Sequence, residues 1–424
     1  MPARIPSMVA ATGSGEVFDH PRLSMAVWDG VAIRPPLEEE LIPLPEGSDV
    51  FLLPGRIPMG FAGRKNNLLA YSGEPDTGPV QAVSAFLAPA WLRLCHPAFE
   101  SGEGAPALPL FAYAPLGWMD GRFWTTGTRI DPERRQDPVL FDLKMIRRRV
   151  QEERAERPKN VLLRQLERCA LEYECRAAQN YFLHRWEAPL PTSRSCNARC
   201  VGCISEQEGE IPVTQERLTD PPPPQDIAEV ALTHFGRVKH PVASFGQGCE
   251  GEPLTRAPVL EEAVRLIREG GGTGTMNLNT NASRPDAVAA LFDAGLDSIR
   301  ISLNSARKGA YEAYHRPASY AFEDVEESAR RAKAAGGFIS LNLLVFPGVT
   351  DREEEVEALE AWIAEHHVDM IQWRNLNIDP TLYMDTVGYS SGGDHASLGL
   401  LAMIQRIRER FPDLRHGYFN PALR

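Results

Sequence analysis

From about residue 184 to the end of the chain, short apolar runs alternate with amphipathic stretches, and few folds can accommodate that alternation. The expected strands are WEAPLPTS, PVASFGQG, TMNLNTNA, SIRISLNS, FISLNLLVFPG and DMIQWRNLNI. Helices are expected near 257–269, 284–294, 322–335, 352–366 and 395–410, where apolar residues recur at three- and four-residue intervals. Strand–helix repeats of this kind build a parallel sheet with right-handed crossovers. Pro221 to Pro224 interrupt the series and are read as a rigid spacer in a long loop after the first unit.

The strands share an asymmetry: each begins apolar and ends polar. The polar ends are Gln247 to Glu252, Asn279-Thr280-Asn281, Ser302 to Ser305, Asn342, and then Arg374, Asn375 and Asn377. In parallel α/β barrels the active site lies at the carboxyl ends of the strands. Polar groups there, from five successive strands, are expected to converge. The expected fold class is therefore α/β: a partial (β/α)6 TIM-like barrel with an N-terminal β-rich domain and a helical connector.

With 424 residues, 43% of them apolar, the chain is long enough for more than one domain. Residues 1–20 are small and polar and are expected to be a loose tail. Residues 21–135 read as a β-rich domain, with turn-forming Asp29-Gly30, Pro54-Gly55 and a hairpin about Asp120-Gly121. Residues 136–183 read as a helical connector broken at Pro158, and 184–424 as the barrel.

The formal net charge of −12 disfavours broad, charge-driven nucleic-acid binding, which needs clustered Lys and Arg. The basic run Arg147-Arg148-Arg149 is followed by Glu152, Glu153 and Glu156 and reads as a solvated helix face. No apolar run approaches the roughly 20 residues that span a bilayer, and the first residues lack the apolar core of a signal peptide. No membrane partner is expected, and the expected location is cytoplasmic.

Of the seven cysteines, Cys196, Cys200 and Cys203 fall within eight residues of one another in SCNARCVGC. An odd number, so distributed, does not suggest a disulfide framework; in a reducing compartment such clusters more often bind metal. Three thiolates on one loop can ligate three irons of a cubane and leave the fourth open. A structural zinc site would want four ligands, and no second Cys pair follows. Two alternatives from other classes stay open: a zinc- or iron-binding structural module without turnover, and a binding or chaperone protein that keeps the barrel but has lost catalysis.

The Cys-x3-Cys-x2-Cys loop directly after the first strand resembles the signature of the radical S-adenosylmethionine (SAM) superfamily. Gly202 stands where many members carry an aromatic residue. FGQGCEGEPL, at the end of the second strand, resembles the family element that holds the amino group of SAM. Gly251, Glu252 and Pro253 match it directly, and Glu250 occupies the place of a glycine. Glycines permit close backbone approach, and a carboxylate suits an ammonium. The resemblance further assigns Ser302 and Asn304 to the ribose or carboxylate of SAM. Asn279, Asn281 and Asn342 are compatible with the same pocket, and Arg374 with the SAM carboxylate or the substrate. Cys249 is either a small buried thiol in a tight turn or a thiol that donates a hydrogen atom or ligates a substrate-side metal.

The resemblance covers about residues 184 to 380. It implies a [4Fe–4S] cluster, SAM, an electron donor such as flavodoxin or ferredoxin, and hydrogen abstraction from a substrate carbon. A peptide, protein or small metabolite is the favoured substrate, an RNA the alternative.

Overall fold

The computed structural model describes residues 4–63, 67–74, 78–207, 209, 211–389 and 397–424. By contact the chain divides into two compact units. The first comprises Met1–Pro132, Leu344–Glu360 and Trp373–Pro412, and the second Glu133–Leu343, Ala361–Gln372 and Asp413–Arg424. The expected division at residue 184 follows the order of the chain; the division by contact assigns two later segments to the first unit.

The second unit is built on a parallel sheet. Its strands are β1 (Glu187–Pro189), β2 (Val242–Phe245), β3 (Thr275–Thr280), β4 (Ser298–Leu303), β5 (Phe338–Val345), β6 (Met370–Asn375) and β7 (Arg415–Gly417), neighbours in that order. Ala188 lies opposite Ala243, Ala243 opposite Met276 and Leu278 opposite Ile299. This is the partial barrel expected from the sequence, with a seventh strand added. RHG is short and carries no apolar residue, so nothing in its own pattern marks it; it pairs because Met370 and Ile371 offer a free edge to Arg415 and His416.

Successive strand residues point to opposite faces, and β3 shows what each face holds. Met276 and Leu278 are fully buried on one side. On the other, Asn277 donates to Ser244 Oγ at 3.2 Å and to Asn279 Oδ1 at 2.8 Å, and Ser298 Oγ donates to Asn277 Oδ1 at 2.8 Å. Asn420 Nδ2 joins this network at Ser244 Oγ, 3.3 Å away, and donates to Glu187 Oε1 at 2.7 Å. Each buried polar group is thus satisfied within the sheet's own interior.

Helix Pro224–Arg237 connects β1 to β2 and is capped by Pro223, so the end of the proline run starts a helix, while Pro221 and Pro222 lie in the loop before it. Pro224 occupies the first helical position, where a missing N–H costs nothing and a fixed φ is already helical. Later crossovers use Ala257–Glu269, Pro285–Ala294, Phe322–Ala334 and Glu353–His366. The helix expected at 395–410 is seen over Leu400–Arg410; residues 395 and 396 lie outside the described residues. Helices Leu143–Glu156, Val161–Leu171 and Arg176–Phe182 precede the sheet, the first two separated about Pro158 as expected.

The first unit carries an antiparallel sheet of 12 strands. Strands Gly117–Met119 and Arg122–Arg129 form the expected hairpin, with Asp120 at φ 53° and Gly121 at φ 75°. Both values are those of the two-residue turn that Asp-Gly favours. The described part of the first 20 residues, 4–20, is however not a loose tail. Ser7–Thr12 pairs with three other strands and buries Met8 to Ala11, because small side chains suit a crowded central position.

Leu344–Glu360 and Trp373–Pro412 belong to this unit through buried polar contacts. Arg56 Nη2 donates to Asp379 at 2.5 Å with both side chains buried, and Tyr113 Oη donates to the same carboxylate at 3.2 Å. Arg93 donates to Asn377 Oδ1 at 2.7 Å and to the Leu376 carbonyl at 2.6 Å. Gly30 and Gly348 cross so closely that a Cβ on Gly30 would lie 2.2 Å from the Gly348 Cα.

Candidate functional site

The residues between β1 and the first crossover helix carry the cysteine loop, and neighbouring segments of the second unit hold it down. Arg199 N–H donates to the His315 carbonyl at 3.0 Å and Val201 N–H to that of Tyr314 at 3.0 Å. Ala318 N–H donates to the Asn197 carbonyl at 2.9 Å. From β3, Asn281 Nδ2 donates to Asn197 Oδ1 at 2.9 Å, and Asn197 Nδ2 donates in turn to Ser283 Oγ at 2.9 Å. Cys196, Cys200 and Cys203 are all half-buried free thiols.

The loop after β2 lies directly against this one. Gly251 N–H donates to the Ser193 carbonyl at 2.8 Å and Glu252 N–H to that of Ser195 at 2.8 Å, one residue before Cys196. A Cβ on Gly251 would sit 2.1 Å from the Ser195 oxygen, so only glycine permits the approach. At the other end of the loop, a Cβ on Gly246 would meet the Asn279 oxygen at 1.8 Å.

Two glutamates stand in this loop, and their hydrogen bonds separate them. An ionised carboxylate has about four acceptor positions. Glu250 fills all four with backbone donors: Thr192 and Ser193 at 2.7 and 2.9 Å on one oxygen, Gly246 and Gln247 at 2.7 Å each on the other. Glu252 accepts from Leu254 N–H at 3.0 Å, Thr280 Oγ1 at 2.5 Å and Asn281 N–H at 2.8 Å, which leaves one position open. Both are buried, and burial pushes each carboxyl up to about 7 against the pull of those donors. Glu250 braces the loop, and Glu252 has acceptor capacity left for a ligand.

The remaining expected residues divide further. Asn279 Nδ2 is spent on the Phe245 and Gly246 carbonyls at 2.8 and 3.0 Å, which shapes the loop. Asn281 bridges to the cysteine loop as described. Asn342 Nδ2 reaches Ser302 Oγ at 3.5 Å across β4 and β5, and both are half-buried. Asn304 Nδ2 donates to the Ala310 carbonyl at 3.1 Å. Pro253 begins a short 3-10 turn that Glu252 caps. Cys249 is buried, its carbonyl accepting from Leu218 N–H at 2.9 Å. Arg374 lies in the first unit, at the end of β6. So do Asn375 and Asn377: Asn375 exchanges bonds with the Trp91 carbonyl and the Arg93 N–H, both at 2.9 Å.

Several neighbours of the thiols carry no motif of their own. His315 Nδ1 lies 3.4 Å from Cys200 Sγ, and its ring stacks on Tyr311 at 4.2 Å between centroids. Burial lowers its pKa to about 3, so the ring is neutral. Arg217 donates to Ser205 Oγ at 3.1 Å, and its Nη2 lies 4.0 Å from Cys203 Sγ. Only the polarity of the segments 205–217 and 311–316 could have flagged them, and polar loops are common.

The three thiols fit a cluster by their chemistry. Burial pushes the Cys200 thiol up, and the charges of Cys203 and Cys196 push it the same way; Cys196 is raised by burial as well. Thiols that resist ionisation because they crowd one another ionise readily on a cation. Among the described residues, no three His, Cys, Asp or Glu side chains are drawn together closely enough to hold a metal ion as they stand. No described helix is long and apolar enough to cross a membrane.

Residues 190–359 match the model of the radical SAM superfamily, a span that includes the cysteine loop, the Glu252 loop and strands β2 to β5. The match is to this segment, and it leaves residues 1–189 and 360–424 outside it. Two curated relatives are GTP 3',8-cyclases. The chain is 27% identical over 180 residues to that of Thermodesulfovibrio yellowstonii, covering 42% of this chain and 53% of the relative. It is 30% identical over 161 residues to that of Limosilactobacillus fermentum, covering 37% and 45%. The chain thus spans about half the length of the curated relatives it matches. Among solved structures, the FeFe-hydrogenase maturase HydG from Carboxydothermus hydrogenoformans is 14% identical with a TM-score of 0.39, over 64% of this chain and 67% of that one.

Proposed function

We propose that this chain is a radical SAM enzyme in which Cys196, Cys200 and Cys203 hold a [4Fe–4S] cluster and Glu252 receives the amino group of SAM. The observation that carries the reading is the seating of the Glu252 loop on Ser193 and Ser195, which places a buried carboxylate with one open acceptor position beside the thiol loop. Its charge is felt at Cys196. When bound and reduced by a donor such as flavodoxin or ferredoxin, the cluster would supply the electron that cleaves SAM to methionine and a 5′-deoxyadenosyl radical, which then takes hydrogen from the substrate.

The chain's own work is to hold and orient. Glu252 accepts from the SAM ammonium, and an ionised acceptor makes that bond about twice as strong as a neutral one. Glu250 clamps the turn so that Gly251 can pass Ser195. Asn281 fixes Asn197 and with it the first half of the cysteine loop. Ser302 and Asn342, half-buried on β4 and β5, are available to the ribose or carboxylate. Neutral His315 can hydrogen-bond the Cys200 sulfur through Nδ1 without bringing a charge, while Arg217 supplies a cation toward Cys203.

We infer a peptide, protein or small metabolite as substrate rather than RNA, from the net charge of −12. All seven cysteines are free, in keeping with a reducing cytoplasm. The test is anaerobic reconstitution with iron and sulfide, followed by dithionite and SAM. Four irons per chain and release of 5′-deoxyadenosine are expected; a reconstituted protein that binds no iron would overturn the reading.

A further inference from the structure

Helix Lys308–His315 ends beside the cysteine loop, and its last residue turns a ring toward one thiol. The backbone fixes that meeting. Arg199 N–H donates to the His315 carbonyl and Val201 N–H to the Tyr314 carbonyl, both at 3.0 Å, so Cys200 is pinned on either side to the end of this helix. A bridge between Ala198 and Pro317 continues the pairing. The ring is confined as well. It stacks on Tyr311 at 4.2 Å with 24° between the planes, and Tyr314 stands edge-on to it at 5.1 Å and 89°. Tyr311 is held in turn by the contact of its hydroxyl with that of Tyr320 at 3.0 Å. So confined, the ring places Nδ1 3.4 Å from Cys200 Sγ.

The far nitrogen decides which way that contact runs. His315 is buried, and among the described residues its Nε2 has no hydrogen-bond partner. A neutral imidazole carries one N–H and one lone pair. A cysteine sulfur that ligates iron has given up its proton and can only accept. With the N–H on Nε2, a buried donor would go unpaired and the Nδ1 lone pair would face the lone pairs of the sulfur. With the N–H on Nδ1, donor meets acceptor and only a lone pair is unused, the cheaper arrangement.

Resting on the reading of Cys200 as a cluster ligand, we infer that His315 is a positioning residue that donates from Nδ1 to the Cys200 sulfur and raises the reduction potential of the cluster. Reduction adds negative charge, part of which resides on the ligating sulfurs. A donor aimed at a sulfur therefore stabilises the reduced form more than the oxidised one, and hydrogen bonds of this kind are among the levers that set such potentials. The contact belongs to one ligand. Cys203 has a different set, Ser205 Oγ at 3.5 Å and Arg217 Nη2 at 4.0 Å. His315 thus eases electron uptake from the donor protein without adding a charge of its own beside the cluster.

The experiment reconstitutes the full-length chain anaerobically, counts iron, and titrates with dithionite and mediators while electron paramagnetic resonance reads the reduced fraction. His315→Phe keeps an aromatic ring between the tyrosines and removes the donor. At a fixed solution potential its reduced-to-oxidised ratio should fall about two- to tenfold, the range that one hydrogen bond supports. His315→Asn sets an amide N–H where Nδ1 stood and should bring the ratio back to within about twofold of the parent. A merely structural role would lower iron content and leave the potential of the remaining clusters unmoved. That result, or an unchanged ratio in His315→Phe, would overturn the inference. If His315→Phe takes up no iron, the parent chain decides: grown with isotope-labelled histidine, its reduced cluster should show a weak coupling to the labelled nitrogen, and the lack of one would overturn the inference equally. A parent chain that takes up no iron would overturn the cluster reading and this inference together, and the iron count tells that failure from the others.

Discussion

The ends of β2 and β3 and the end of β6 look alike in sequence, each a strand running into carboxamides and charges, yet the molecule uses them differently. At β2 and β3 the polar groups face the cysteine loop: Glu252 caps toward Thr280 and Asn281, and Asn281 reaches Asn197. At β6, Asn375 and Asn377 bond to the strand Trp91–Arg93 of the first unit. The first set has acceptor capacity to spare, whereas Asn375 is committed through both its donor and its acceptor. A polar strand end is therefore a site only when the groups around it leave something unsatisfied.

The comparison breaks most completely at the thiols. Replacing Cys196, Cys200 and Cys203 by Ala should abolish reconstitutable iron and all SAM cleavage, as read by iron analysis and 5′-deoxyadenosine release. Four irons retained in that chain would move the site elsewhere.

Glu252→Gln comes next. A charge-assisted bond to a buried carboxylate contributes roughly 1.5–3 kcal/mol, so SAM should bind about ten- to a hundredfold more weakly by calorimetry, with cluster content unchanged. Unaltered affinity would return the role to Glu250, against its four backbone donors. The raised carboxyl adds a pH test. Glu252 must be ionised to hold the ammonium, and burial has lifted its pKa to about 7. SAM affinity should therefore rise with pH up to about 7 and level off above it, falling at most roughly tenfold per unit below. In Glu252→Gln that slope should flatten; a slope that persists would belong to another group.

Arg93→Met should have the smallest effect on the site and a measurable one on the fold. Arg93 is fully buried, and burial lowers its pKa to about 9. Removing it orphans the Asn377 and Leu376 oxygens, a loss of about 2–4 kcal/mol that a lower denaturation midpoint would reveal. SAM affinity and iron content should match the parent chain. A drop in either would mean that the end of β6 serves the site after all.

Much of the second unit was legible because its signals are local. Alternation of strand and helix reports the sheet, and three cysteines in one short loop mark a candidate site wherever the loop lies. The hairpin at Asp120-Gly121 and the helix break at Pro158 belong with these, since each depends on the backbone preferences of one or two residues. Tertiary structure alone decided the rest. Ser7–Thr12 is a strand because its partners are there, and RHG joins the sheet because β6 has an edge to offer. Glu250 and Glu252, two residues apart and identical in kind, differ only in what other segments donate to them. Hydrogen-bond saturation depends on contacts between distant residues, and no local pattern encodes it.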